Sequence, residues 1–380
     1  MIASLKNRNT MGNRNKDAET PLNLKPGDWV QVRSKREILR TLDAKGQLDG
    51  MPFMPEMFAF CDKSFQVYKR AHKTCDTVFP IRSRRVDRAV FLDTRCDGSA
   101  HGGCQAGCLL FWREEWLKPI GSTVDTNSSV PRREMLTAHD GCSESIVQAA
   151  TQAFDPESGT PIYTCQATQL PYFTADLSWW DVRQYIEDYR SGNVGLRRMF
   201  AGLIYSIYYN LCQAGIGVGA PLRWLYDRLA PLWTHHRFPR RVGTIPVGKP
   251  TPTVTLNLQP GEIVRVKSHK EILSTIDQGS RNRGLCWDAE MVPYCGGTYR
   301  VLSRVTRIID EKTGKMLKMK NPCIILDSVV CQARYSGNRM FCPRAIYPYW
   351  REVWLDRVEQ HLVNAAAHRA SDQIDNARVR

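Results

Sequence analysis

The chain carries one module twice. LKPGDWVQVRSKREILRTLD at 24–43 matches LQPGEIVRVKSHKEILSTID at 258–277, an offset of 258 − 24 = 234. The offset holds without a gap through Glu56-Met57 and Glu290-Met291, Cys61 and Cys295, Arg70 and Arg304, and Leu92-Asp93 and Leu326-Asp327. It grows by four only before WREEWL (112–117) and WREVWL (350–355), which places the added residues in the loop between. Ungapped correspondence over this length implies two copies of a domain rather than a short solenoid repeat.

Each copy opens on Pro-Gly-acid followed by alternating valines, Val30/Val32 and Val264/Val266, the pattern of a turn feeding a half-buried strand. EILRTLD and EILSTID predict one short helix per copy. SFQVYKR, TYRVLSRV, RAVFLD and CIILDSVV alternate again, and TRIIDEKTGKML predicts two strands around a Thr-Gly turn. Short strands with turns at this spacing predict a small antiparallel barrel, and PGDWVQV resembles the first strand of SH3-like barrels. The expected fold is therefore α+β: two duplicated SH3-like β-barrel modules, at 21–120 and 251–358, joined by a helical, partly hydrophobic middle region at 121–250. Residues 1–20 are expected as a flexible N-terminus and 359–380 as a C-terminal helix or tail.

At 380 residues and 42% hydrophobic content, the chain has a folding composition. The net charge of +15 points to an anionic partner. The first twenty residues lack the apolar run of a secretory signal, so the expected location is cytoplasmic and reducing. Thirteen cysteines there read as metal-binding or catalytic before they read as disulfides.

The densest stretch is CDGSAHGGCQAGC at 96–108. Cys96, Cys104 and Cys108 follow a strand on a glycine-rich loop able to fold its ligands onto one point. Three thiolates with Cys75 as the fourth ligand, or with His101, suit tetrahedral zinc or an iron–sulfur cluster. In the second copy the counterparts are Cys323, Cys331 and Cys342, with Cys295 at the position of Cys61; Cys104 aligns with Cys342, and Cys96 falls within one residue of Cys331. Cys142 and Cys165, between the modules, are weaker candidates to complete the first site. Cys142 would sit before a helix running from Ser143 or Glu144 to Phe154, where a helix dipole favours thiolate. Cys61, Cys212 and Cys286 read as small buried hydrophobes. No Ser-His-Asp elbow, P-loop or Rossmann context appears, and GIGVG at 215–219 has no preceding strand.

Taken together, AHKTCDTV, RCDGSAHGGCQAGCLLFWREEWL, YTCQAT, WWDVRQYIEDYRSGNVGL and RMFCPRAIYPYWREVWL resemble a bacterial protein family with this two-module layout. The resemblance spans nearly the whole chain and implies a layout, with no particular activity attached.

In the middle, Ser178 is expected to cap a helix over WWDVRQYIEDYR. MFAGLIYSIYYNLCQAGIGVGAPL (199–222) has no formal charge and is long enough to span a bilayer, but a single crossing would separate two related cysteine modules. Peripheral attachment through residues 195–241, to the inner membrane or a protein partner, is the preferred reading. The function expected is a metal-binding accessory or scaffold protein, in a bacterial biosynthetic pathway. Alternatives are an iron–sulfur redox enzyme or carrier acting on an unspecified small molecule, and a nucleic-acid-binding tandem barrel using IRSRRVDR (81–88). The repeated Glu56/Glu290 and Glu114/Glu352 read as architecture, with the Arg-Glu pair of each Trp-Arg-Glu-x-Trp-Leu closing its module.

Overall fold

A computed structural model describes residues 22–120, 142–214, 217–232 and 236–358. The expected N-terminal and C-terminal segments, at 1–20 and 359–380, lie outside the described residues. The fold is mixed α+β, built on two curled antiparallel half-barrel sheets.

The first sheet starts at β1 (Trp29–Val32), whose alternation buries Val30 and Val32 and turns Trp29 outward. Gly27 precedes it at φ +96°, a turn conformation that a side chain would strain. Helix α1 (Lys35–Leu39) is closed by a capping box in which Ser34 and Glu37 satisfy each other's backbone N–H. The strands β2 (Ser64–Arg70), β3 (Lys73–Asp76), β4 (Arg82–Arg85), β5 (Ala89–Arg95), β6 (Leu109–Arg113) and β7 (Leu117–Pro119) follow. The main sheet runs β6-β5-β2-β1-β7, while β3 and β4 form a hairpin extended by β8 (Ala175–Leu177). Trp112, Trp116, Phe91 and Phe111 fill the core beneath.

The middle region divides between the modules. Cys142, Val147, Leu170 and Phe173 join the first core. The helix after Cys142 covers only Glu144–Ala149; residues 152–154 pair as a strand with 161–163 instead of continuing it, because Asp155 and Pro156 turn the chain back. Helix α2 (Arg183–Arg190) starts after the two tryptophans, and the Ser178 carbonyl accepts from Asp181 N–H and the Gln184 amide instead of capping. Asp188 on α2 is fully buried, 2.6 Å from Lys73 and 3.0 Å from His72, which ties this helix to β3. Helices α3 (Leu196–Gln213) and α4 (Gly219–Leu229) divide the charge-free stretch 199–222. Among the described residues no helix is long and apolar enough to cross a membrane.

The second sheet contains β9 (Ile263–Val266), β10 (Thr298–Ile309), β11 (Met316–Leu326) and β12 (Leu355–Arg357), in the order β11-β10-β9-β12. Helix α5 (His269–Leu273) carries the same capping box, from Ser268 and Glu271. The registers correspond. Val30 faces Phe65 and Pro119, and Val264 faces Tyr299 and Arg357. The full strand β6 of the first sheet has only one bridge as counterpart, Ile324 to Trp350, matching Val90 to Trp112.

The Trp-Arg-Glu-x-Trp-Leu motif buries its tryptophans and leucine in both copies. Its arginine and glutamate do not hold each other. Arg113 donates to the carbonyls of Asp87, Leu48 and Asp49; Arg351 donates to those of Asn321, Asn282 and Arg283, each shifted by 234. Glu114 instead accepts from Leu22 N–H and faces Arg70, and Glu352 accepts from Leu256 and Leu258 N–H and pairs with Arg304 at 2.6 Å. Each arginine is the last extended residue and each glutamate the first of a short helical turn, so each finds its own partner. Arg113→Met removes the buried guanidinium that donates to three carbonyls and should cost about 3 kcal/mol or more. Urea unfolding of the full chain checks this; a loss below about 1 kcal/mol would show that water replaces the guanidinium.

Candidate metal centre

The cysteine loop of the first module closes on its own neck, where Cys96 N–H donates to the Cys108 carbonyl at 2.9 Å. Inside the neck, His101 and Gly103 N–H both donate to the Gly98 carbonyl. Gly98 has φ +73°, and a Cβ there would lie 2.0 Å from the Cys104 carbonyl oxygen, so the fold-back requires glycine. The second module draws the same neck with Cys331 N–H donating to the Ile346 carbonyl, and Cys342 N–H donating to Arg339 as Cys104 N–H does to His101.

Glu56 reaches this loop from the short helical turn Pro55–Phe60. Its Oε1 lies 2.7 Å from His101 Nδ1 and 3.7 Å from Cys96 Sγ, and accepts from Ala100 N–H at 3.1 Å. One ligand atom from each of Glu56, Cys96 and His101 can be chosen so that all three lie within 4.8 Å of one another. The Glu56 Oε2 atom is buried with no hydrogen-bond partner. His101 Nε2 faces the Thr164 carbonyl at 3.0 Å, so both ring nitrogens meet acceptors, and only a doubly protonated ring satisfies both. Burial pushes the Glu56 carboxyl up, but the hydrogen bond and charge of His101 outweigh it and hold the group below its ordinary value.

Cys96, Cys104, Cys108, Cys165 and His101 line one cavity of about 30 Å³, which also meets Ile309 and Arg344 of the second module. A space of that size admits one or two water-sized bodies. Burial, followed by the Glu56 charge, drives the Cys96 thiol far up. Burial likewise raises Cys108 to about 12 and lifts Cys165, so these thiols rest protonated. Gln105 and Cys104 dock the loop on β10: the Gln105 side-chain carbonyl accepts from Thr306 and Arg307 N–H, and Cys104 Sγ accepts from Ile309 N–H.

Cys75 does not sit with the loop. It packs with Cys342 and Ala333, with Cys331 against them, in a small cluster between the modules. A hydrogen bond from Cys342 lowers the Cys75 thiol against the opposing effect of burial, helped by the Arg344 and Arg339 guanidiniums. Cys342 is driven up by burial and by its neighbour, so the pair gives up its first proton at Cys75. The four-cysteine set Cys75, Cys96, Cys104 and Cys108 is thus divided, and Cys165 takes the place expected of Cys75 beside the cavity.

The remaining candidates stand apart. Cys323 packs with Val305 and Ile325, against Arg351, and Cys295 lies beside the second core, its thiol pushed up to about 12 by burial. Cys142 packs in the first core, donates to the Ser143 carbonyl and is raised by burial, so the thiolate expected at that helix start is not favoured. Cys286 is exposed instead of buried. Arg344 was not singled out by sequence, because nothing in RMFCPRAIYPYW marks one arginine as buried. Glu56 carried a signal, its repetition at Glu290, but that signal points to architecture.

No known protein family, curated protein or solved structure matches the chain.

The Glu56 shift sets a pH dependence. A carboxyl held below its ordinary value of 4.5 stabilises the fold above that value, and this contribution is lost as pH falls through the lowered one. Glu56→Gln should therefore cost about 3 kcal/mol near neutral pH and progressively less in acid. Parallel urea unfolding of both proteins from neutral to acid pH checks it; a gap that does not narrow would mean that the pair is not ionised.

Proposed function

We propose that the chain is a metal-binding accessory protein whose centre is one zinc ion at the neck of the first cysteine loop. Glu56, Cys96 and His101 would supply three ligands, and one of Cys104, Cys108 and Cys165 the fourth. The observation that carries this is the convergence of a carboxylate, a thiol and an imidazole within 4.8 Å, beside a cavity faced by three further thiols. A mixed oxygen, nitrogen and sulfur set suits zinc. Four protein ligands leave no open position, which is the chemistry of a structural centre. The orphaned Oε2 of Glu56 supports the same reading, since a buried carboxylate oxygen without a partner is costly.

Loop anchoring alone is the plainer account of Glu56, and the second module shows how little it needs. Glu290 accepts from Arg334 and Tyr335 N–H and from the Ser336 hydroxyl, three donors of its own loop. The imidazole is additional in the first module. We also read the two sheets as duplicates of one SH3-like unit, supported by their matching registers and capping boxes. All thirteen cysteines are free thiols, in keeping with a reducing, cytoplasmic setting.

An iron–sulfur centre is the second reading, favoured by four cysteines, Cys96, Cys104, Cys108 and Cys165, on one cavity. The nucleic-acid reading loses its main support. Arg82, Arg84, Arg85 and Arg88 each lie within 4 Å of a carboxylate of the chain, from Asp76, Asp176, Asp181, Glu187 or Glu115.

Metal analysis of protein purified without oxygen tests the proposal. Zinc near one per chain is expected; iron with sulfide and a broad visible absorption moves the assignment to the second reading. Cys96→Ser should lower zinc content and melting temperature together, since binding and folding are coupled, whereas Cys323→Ser should leave zinc content unchanged. Because the thiols rest protonated, zinc binding should release protons and weaken as pH falls, as measured by titration in weak buffer. A chain that neither retains nor takes up zinc or iron, with Cys96→Ser as stable as the parent, overturns the proposal.

A further inference from the structure

Helix α3 is apolar on two faces, and among the described residues only one of them is packed against the fold. Its inner face packs on the second module. A Cβ at Gly202 would lie 2.6 Å from the Phe341 ring, and Tyr205 meets Tyr335 at 4.8 Å. Its outer face presents Leu196, Phe200, Leu203, Ile204, Ile207 and Leu211 to solvent, at spacings of four, three, one, three and four residues. Those spacings form a single stripe along the helix. Phe200, Ile204 and Ile207 are 61%, 66% and 64% exposed. Helix α4, packed on α3 where the Tyr208 hydroxyl donates to the Leu222 carbonyl, adds Trp224, 65% exposed.

The charge beside this stripe has one sign. Residues 189–241 contain eight arginines and a single acid, Asp227, which is paired to Arg240 at 2.7 Å. Arg190, Arg197, Arg228, Arg237 and Arg241 are exposed. A second copy of the chain would bring arginine against arginine, so self-association is opposed.

We propose that the outer face of α3, with Trp224 of α4, docks on an anionic phospholipid surface, lying in the plane of the headgroups. An apolar stripe with aromatic residues and an arginine surround is the composition of an in-plane interfacial helix, and no described helix is long and apolar enough to cross. The apolar side chains enter the acyl boundary while the arginines meet the lipid phosphates. The inference does not depend on the metal centre.

Flotation of the full chain with phosphatidylcholine vesicles, with and without phosphatidylglycerol, tests it. The chain should float with the anionic vesicles and dissociate as salt is raised. Phe200→Ser/Ile204→Ser/Ile207→Ser alters solvent-exposed positions only, so its melting temperature and zinc content should match the parent. Its vesicle partition should fall by at least about a hundredfold, from three lost apolar insertions. Arg197→Gln and Arg228→Gln should each weaken anionic binding by roughly fivefold. Equal flotation of the triple variant overturns the proposal. So does a parent that fails to float, or one whose mass in solution doubles through this same stripe.

Discussion

A buried guanidinium holds the two modules at a fixed distance, and both groups of thiols are arranged around it. Arg344 is 3% exposed. It donates to the Cys75 carbonyl of the first module at 2.9 Å and to Glu311 of the second at 3.0 Å, while Glu311 also accepts from the Thr77 hydroxyl. A cation this deep is tolerated only when its donors are satisfied and its charge is met. Burial opposes its charge, and the Glu311 carboxylate restores it. The same cation lowers Cys75 on one side and works against the burial of Cys108 on the other. Neither thiol group can therefore be understood within its own module.

The repetition separates architecture from chemistry. Arg113 and Arg351 tie corresponding carbonyls, Glu114 and Glu352 tie corresponding segments, and Glu56 and Glu290 hold corresponding loops. What differs is what surrounds them. Glu290 has no cation in contact that outweighs its burial, and its carboxyl is pushed up; Glu56 has His101, and its carboxyl is held down. One carboxylate position thus carries opposite electrostatics in the two copies. Where copies agree, the fold needs the residue; where they diverge, at His101 and Cys108, the residue is free to serve a site.

The parts of the fold legible in the sequence are those fixed by neighbours. Valine alternation placed β1 and β9, and the Thr-Gly pair placed the turn between β10 and β11. The loop with Cys96, Cys104 and Cys108 was legible for the same reason, since its glycines act locally. Cys75 was not, because its partners are 256 and 267 residues further on, at Cys331 and Cys342, and are reached only when the modules meet. The Arg-Glu pairing within the Trp-Arg-Glu motif failed because the backbone turns from extended to helical between the two residues, and their partners are distant in sequence. The helix expected to continue to Phe154 ended at Ala149 because residues 152–154 gain strand partners that local propensity does not contain.

Protonated thiols explain how a cysteine-rich loop can be buried at all. Cys96, Cys108 and Cys165 are neutral at rest, and the carboxylates nearby, Glu56 and Glu311, are matched by His101 and Arg344. The backbone frame of the loop, its neck and its glycine fold-back, forms without a metal, while Glu56 Oε2 is left without a partner. In the proposed centre, capture of zinc exchanges protons for the ion and leaves the backbone frame in place. The exchange removes the protons of the two ligating thiols, so affinity rises with pH while the frame stays constant. A site assembled in this way favours the ion through pre-organised ligands and opposes it through the protons that must leave. Burial and the Arg344 charge set the balance between those two terms.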